Sequence, residues 1–290
     1  MHILIARNSS NAQANEAALV LGAYLESEGI GYDSIDSLEP VQFTADDYSM
    51  VVALGGDGTI LRTARLVGEE AIPILGINYG HLGFLTNSTS DGVVAAMSAA
   101  LAGETIREER TNLRIDVKIE DDDDEEYEAR FHGPFDNTSD RMFFALNEAA
   151  ITRGSAGKVI DFGIDVSGSS VANMCGDGLV VATATGSTAY ALSAGGPLVA
   201  PGFRGLIMVP LAPHTLIARA ILTDPNDIVE ITMGDNSSTR EAELFMDGNR
   251  IQFDKPMQKL RIRRGEVPTT LLRFNRAPFY KHISETFFKF

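Results

Sequence analysis

The chain opens on an apolar run, His2-Ile3-Leu4-Ile5-Ala6, followed by polar Asn8-Ser9-Ser10-Asn11 and then apolar positions at Ala14, Ala17, Ala18, Leu21 and Leu25. Short run, polar break and three-to-four spacing predict strand, loop and amphipathic helix. Ile30 to Ile35, Tyr48 to Leu54 and Ala71 to Asn78 predict three more strands, and Ser90 to Leu101, with Asp91 near its start, predicts a helix. Strands alternating with helices imply a parallel, doubly wound α/β sheet whose ligands sit at the carboxyl ends of the strands. Gly55 to Thr59 and Asn78 to Thr86 both fall there. From Arg107 the period drops to two: Leu113 to Ile119, Met142 to Thr152, Ile160 to Val166, Leu179 to Thr183, Ile228 to Met233, Ala242 to Met246 and Leu260 to Ile262. These runs predict a mainly antiparallel β domain. The acidic stretch Glu120 to Glu126 reads as a solvated hairpin tip, since it lacks the spaced ligands and turn glycine of a calcium loop. Pro278 to Phe290, with apolar positions 279, 280, 283, 287 and 288, reads as a terminal helix docked on a neighbouring surface.

Composition narrows the class. A length of 290 residues allows two domains, and 44% hydrophobic content with 27 glycines suits a soluble α/β protein. The longest apolar stretches, such as Gly92 to Gly103, are too short to span a bilayer. The first residues lack a basic leader and a long apolar segment, so a cytoplasmic rather than a secreted protein is expected. Cys175 is the single cysteine, which excludes an intrachain disulfide and a cysteine-rich zinc site; it reads as a small core residue. The net charge is −16, and six lysines stand against 18 arginines. Such a surface argues against nucleic acid as a partner and suits a salt-rich, halophile-like cytoplasm in which screening relieves self-repulsion.

Two stretches carry the chemistry. Met50 to Leu54 ends abruptly in Gly55-Gly56-Asp57-Gly58-Thr59, and Ile60 to Leu66 continues with helical spacing. Glycines let bare N–H groups approach an anion, and the helix N-terminus adds partial positive charge, so the turn reads as a phosphate site. An aspartate at its centre either meets phosphate through a metal ion, accepts a proton from an attacking hydroxyl, or merely caps the helix. The second stretch runs from Gly176-Asp177-Gly178 through an apolar strand to Thr185-Gly186-Ser187-Thr188-Ala189-Tyr190 and Ser193. Small residues and hydroxyls at a strand-to-helix junction admit a flat or sugar-bearing ligand, with Tyr190 as a stacking face, or else make a tightly packed loop. Asn147-Glu148 sits within an otherwise apolar run, and such buried polar groups need partners such as ribose hydroxyls. His81 and His214 lie in loops, where a ligand contact and a structural role are both open.

Taken in order and spacing, Gly55 to Thr59, Asn147-Glu148, Gly176 to Leu179 and Thr185 to Tyr190 resemble the NAD kinases. The glycine turn alone is shared with diacylglycerol and sphingosine kinases and, more loosely, phosphofructokinases; the Thr-Gly-Ser-Thr-Ala-Tyr segment with Asn-Glu upstream narrows the resemblance. It implies an α/β nucleotide-phosphate domain over 1–104 plus a returning 276–290, a β-rich NAD-binding domain over 105–275, and an active site between them. It implies Asp57 as the catalytic carboxylate, with Gly56, Gly58 and Arg62 at nucleotide phosphates or ribose. Asn147 and Glu148 are implied to hold NAD, with Thr185, Thr188, Ala189, Tyr190 and Ser193 lining its pocket. Asp177, Lys158 and Asn249 match further binding positions. Ala184 departs from the family's usual proline, and Cys175 from its usual basic or polar residue.

The implied reaction moves the γ-phosphoryl group of ATP, or of polyphosphate, to the 2′-hydroxyl of the adenosine ribose of NAD. A divalent ion, Mg2+ or Mn2+, accompanies ATP; no residue of the chain is assigned as a metal ligand. The family's members are homodimers or homotetramers. A lipid or sugar kinase sharing the glycine turn is the rival enzyme. A −16 protein without a basic membrane patch fits the lipid case poorly. A non-catalytic nucleotide-binding regulator is the other alternative.

Overall fold

The computed structural model describes residues 1–39, 44, 47–80, 83–87, 92–155, 157–215, 217–275 and 279–288. In chain order come β1 (His2–Arg7), α1 (Ala12–Ser27), β2 (Gly31–Asp36), β3 (Met50–Gly55), α2 (Asp57–Val67), β4 (Ile74–Asn78), α3 (Gly92–Leu101) and β5 (Ile106–Arg110). Next are β6 (Leu113–Ile119), α4 (Asp124–His132), β7 (Met142–Ala145), β8 (Glu148–Thr152), β9 (Ile160–Val166), β10 (Ser169–Gly176) and β11 (Gly178–Ala182). The chain continues with the single-turn α5 (Tyr190–Ser193), β12 (Ile207–Leu211), β13 (Ile221–Leu222), β14 (Val229–Met233), β15 (Glu243–Met246), β16 (Asn249–Ile251) and β17 (Met257–Arg264). It closes with β18 (Thr269–Arg273) and α6 (Phe279–Phe287).

These elements form two compact units, residues 1–110 with 267–290 and residues 111–266. In the first, the strand order is β2-β1-β3-β4-β18-β5, parallel except for β18 with β5. Asn11 caps α1 by accepting the Ala14 N–H at 3.0 Å, which frees the buried stripe Ala14, Ala17, Leu21 and Leu25 to meet the sheet. That core joins Ile3, Ile5, Val52, Leu54, Leu75 and Ile77 to Val93 and Met97 of α3. Strand alternation turns Gly76 to the opposite face, where a Cβ would overlap Ile60 of α2. The strands β5 and β18 complete this sheet, although the sequence reading grouped residues 105–110 and 267–275 with the later region. The α6 helix buries Ile283 and lays His282 and Phe287 against Phe84, at ring distances of 4.1 and 6.2 Å.

The second unit stacks two antiparallel sheets, β10-β9-β14-β17-β6-β7 and β13-β12-β11-β8-β15-β16. Their inner faces share one core, with Ile115, Val117, Ile164, Ile231 and Leu260 from the first and Ile151, Leu179, Val181 and Leu244 from the second. Period-two alternation puts Ala149 and Ile151 of β8 into that core and turns Glu148, Ala150 and Thr152 the other way.

Three expectations are corrected here. The acidic run is not a hairpin tip. Asp123 accepts the N–H groups of Glu125 and Glu126 and opens α4, whose acidic first turn complements the helix dipole while Tyr127 and Phe131 are buried. Met142 to Thr152 is two strands in two different sheets, broken at Leu146-Asn147. Cys175 is half-buried on β10, with its sulfur 3.9 Å from His214 Nδ1, rather than a core residue. His81 and the predicted helix start at Ser90 and Asp91 lie outside the described residues.

Candidate functional site

Every residue of β3 is buried, and the strand delivers Gly55 and Gly56 to the carboxyl edge of the parallel sheet. A Cβ on Gly55 would overlap the Thr59 side chain, so the turn closes this tightly only with glycine there. Gly56 caps α2 through its backbone, with its carbonyl accepting the Thr59 N–H at 2.9 Å. Asp57 is therefore the first helical residue, not the cap. Its carboxylate turns away from its own helix and accepts two N–H bonds from the chain after β4, Phe84 to Oδ2 at 2.7 Å and Leu85 to Oδ1 at 3.0 Å. Two of the roughly four lone-pair positions of a carboxylate are thus committed, which fixes the group and leaves the others for an incoming hydroxyl. Gly83 makes this approach possible, because a Cβ there would overlap the Asp57 carboxyl. Gly58 is exposed at the turn; Arg62, one helical turn on, reaches Thr59 Oγ1 at 3.3 Å and Ser37 Oγ at 3.4 Å. Burial, then the charge of neighbouring Arg65, holds the Arg62 guanidinium pKa below its ordinary value.

In the second unit a cavity of about 810 Å3 opens over the outward face of β8. Its wall includes Glu148, Ala150, Thr152, Arg153, Asp177, Tyr190, Ser193, Leu211, Phe245 and Gly248. Glu148, Asp177, Tyr190 and Ser193 were expected there from the sequence. Asp177 pairs with Arg153 at 3.2 Å. Tyr190 is 41% exposed, so its ring is available for stacking. Glu148 is 6% exposed, and its Oε2 is buried without a hydrogen-bond partner among the described residues. Burial, reinforced by the nearby Asp247 charge and opposed by a backbone hydrogen bond from Tyr190, pushes the Glu148 carboxyl up to about 7.

Of the remaining predicted residues, Asn147, Thr185 and Thr188 belong to the structure behind this wall, and Lys158 lies away from it. The carboxylate of Asp247 accepts the N–H groups of Leu146 (2.9 Å), Asn147 (2.7 Å) and Glu148 (3.1 Å), pinning the break between β7 and β8. Thr183 holds the same turn from the other side: its hydroxyl donates to the Leu146 carbonyl at 2.7 Å and its N–H to the Asn147 carbonyl at 2.9 Å. A Cβ on Gly186 would overlap the Asn147 backbone, so this glycine joins the two sequence motifs in space. Thr185 is buried and its carbonyl accepts the Thr188 hydroxyl at 3.2 Å; Ala189 is half-buried and precedes Tyr190. Asn249 is exposed and closes the β15–β16 turn by donating to the Met246 and Asp247 carbonyls. Lys158 is exposed and away from the wall, and His214 is exposed in a loop, its N–H donating to the Cys175 carbonyl.

Sequence reasoning missed Asp247, Arg153 and Phe245 around the cavity, and Gly83, Phe84 and Leu85 around Asp57. The Asp247-Gly248 pair was a visible turn signal, with Asp247 at φ 47°. Among the described residues no group of three or more His, Cys, Asp or Glu side chains could cage a metal ion.

Comparison with known proteins adds to this geometry. Residues 10–105 match the ATP-NAD kinase N-terminal domain family, and residues 146–274 match the ATP-NAD kinase C-terminal domain family. An NAD kinase of Rhodococcus jostii is 32% identical over 96% of this chain and 89% of its own length. An NAD kinase of Leifsonia xyli is 35% identical over 83% of this chain and 74% of its own. In fold, the chain is similar to the yeast NADH kinase complexed with NADH, with TM-score 0.83 and 20% identity over 98% of this chain and 86% of that one. It is also similar to an NAD kinase from Archaeoglobus fulgidus in complex with ATP, with TM-score 0.71 and 23% identity over 98% of both chains.

Proposed function

Because this chain belongs to the NAD kinase family, we propose that it transfers the γ-phosphoryl group of ATP to the 2′-hydroxyl of the adenosine ribose of NAD, giving NADP and ADP. The observation that carries the proposal is the Asp57 carboxylate, oriented by two peptide N–H groups beside a glycine-rich helix N-terminus. That combination suits a reaction in which donor phosphates are gripped by main chain while a hydroxyl is aligned and deprotonated. The bond from ribose O2′ to the γ-phosphorus forms, the bond from that phosphorus to the bridging oxygen breaks, and the hydroxyl proton passes to Asp57.

Gly56, Gly58 and Arg62 serve the nucleotide phosphates or ribose. Glu148 is the acceptor that a ribose hydroxyl satisfies, because its Oε2 has no partner among the described residues. Tyr190 stacks on a flat ring, and Ser193 and Asp177 supply polar contacts on the same wall. Asn147, Thr185, Thr188 and Ala189 complete the NAD pocket, with Lys158 and Asn249 as outer contacts. The divalent ion, Mg2+ or Mn2+, enters with ATP as part of the donor substrate and neutralises phosphate charge there. A homodimer or homotetramer in the cytoplasm is the proposed setting; among the described residues no helix is long and apolar enough to cross a membrane.

Incubation with ATP, Mg2+ and NAD, followed by an NADP-specific assay, tests the proposal. NADP formation is expected. Phosphorylation of a diacylglycerol, sphingoid base or sugar in its place identifies the rival kinase, and nucleotide binding without any turnover identifies a regulator.

A further inference from the structure

The carboxylate of Asp57 is held by the segment Gly83 to Asn87, and that segment is itself held from β18. Arg273, 3% exposed, spends its fork on this stretch: Nη1 donates to the carbonyls of Leu85 (2.7 Å) and Thr86 (2.9 Å), and Nη2 to that of Phe84 (2.5 Å). Its Nε donates to Glu108 Oε2 at 3.1 Å, while the other oxygen of Glu108 accepts from Arg110 Nε at 2.6 Å. The far end of the segment is fixed by Asn87, whose Nδ2 donates to the carbonyls of Gly76 (2.9 Å) and Leu272 (2.8 Å). All of these groups belong to the first unit.

The geometry is specific about what this grip controls. The Phe84 carbonyl and the Leu85 N–H are the two ends of one planar peptide group. Arg273 holds the oxygen, and Asp57 receives the hydrogen. Rotation of that plane moves both, so the guanidinium sets the direction of the N–H that aims the carboxylate. Hydrogen bonds in such a chain also polarise one another, so a cation on the carbonyl strengthens the N–H as a donor. A planar guanidinium can meet three successive carbonyls and a carboxylate at once, which an ammonium cannot.

We infer that Arg273 is a positioning residue for the reaction. Through the peptide that joins Phe84 to Leu85 it fixes the orientation of the Asp57 carboxylate, and Glu108 with Arg110 braces it from behind. Arg273 touches no substrate in this role, and the inference rests on the proposed function of Asp57.

Steady-state kinetics of purified Arg273→Met, Arg273→Lys, Glu108→Gln and Asp57→Asn, each checked for cooperative unfolding, provide the test. A carboxylate misplaced by an ångström costs about 100-fold in rate, so Arg273→Met is expected to lower kcat by about that factor. Both KM values are expected to stay within about threefold, since a loss confined to the transition state leaves substrate binding in place. Arg273→Lys should recover part of the loss, and Glu108→Gln should lower kcat by about tenfold, again without a change in KM. A folded Arg273→Met with normal kcat, or one that raises KM alone, overturns the inference. Should Arg273→Met fail to fold, Glu108→Gln decides, because that side chain is 23% exposed and the change keeps its shape. A kcat-only loss supports the inference, and wild-type kcat overturns it. Asp57→Asn separates the two levels: if it keeps full activity the reading of Asp57 fails and the inference with it, whereas an inactive Asp57→Asn beside a normal Arg273→Met fails the inference alone.

Discussion

Glu148→Gln should stabilise the protein at alkaline pH while weakening its grip on NAD. Burial beside Asp247 pushes the Glu148 carboxyl from its ordinary value of 4.5 to about 7. A proton held that much more tightly in the folded state corresponds to about 3 kcal/mol. The sign follows from proton binding: between pH 4.5 and 7 the folded state holds a proton that the unfolded state has lost. Stability from the neutral form is thus complete below pH 4.5 and is lost as pH rises through 7. Glutamine keeps the shape without the charge, and its amide can donate toward the acidic side of the pocket. Urea unfolding of both proteins from pH 4.5 to 8 should show a gap that opens with pH, near zero at the acid end and about 3 kcal/mol at the alkaline end. Carboxylates that do not interact with Glu148 are common to both proteins and cancel in the difference. A gap that does not vary with pH refutes the reasoning. Because Oε2 of Glu148 has no partner among the described residues, Glu148→Gln should also raise the NAD dissociation constant, measurable by calorimetry at pH 8.

Asp247→Ala removes the acceptor of three backbone N–H groups and should cost roughly 3 kcal/mol in urea unfolding, together with a raised KM for NAD. Chelation with EDTA should abolish NADP formation and, with the ion carried by ATP as proposed, leave the melting temperature of the nucleotide-free protein unchanged; a fall in melting temperature points to a resident metal. With a net charge of −16, potassium chloride should raise the unfolding midpoint, most of the gain arriving by about 1 M, where the screening length is about 3 Å; a protein most stable at low salt contradicts salt adaptation.

Periodicity reveals β1 to β4, β6, β9, β11, β14, β15 and most of β17, because that signal is local, whereas β10, β12, β13, β16 and β18 carry no such clear alternation. The acidic run misled because charge was weighed above spacing. Asp123 followed by Glu126, with Tyr127 and Phe131 four apart, already carries a helix start and its apolar face. The break at Leu146-Asn147 was illegible for a different reason: its cause, Asp247, lies about a hundred positions away in sequence. Arg273 was likewise silent, since nothing in Leu271-Leu272-Arg273 signals that its guanidinium grips carbonyls near residue 85. Asp57 and Glu148 stood out because each breaks a local rule, a negative charge in an anion turn and a carboxylate in an apolar strand.

The most direct measurement of the central claim is NADP formation by Asp57→Asn in a single turnover, with ATP and NAD binding measured on the same protein. The amide keeps the size of the side chain and cannot accept the hydroxyl proton, so turnover should fall about 100- to 10,000-fold while both substrates still bind. Near-normal NADP formation by Asp57→Asn contradicts the assignment of Asp57 as the group that receives the proton.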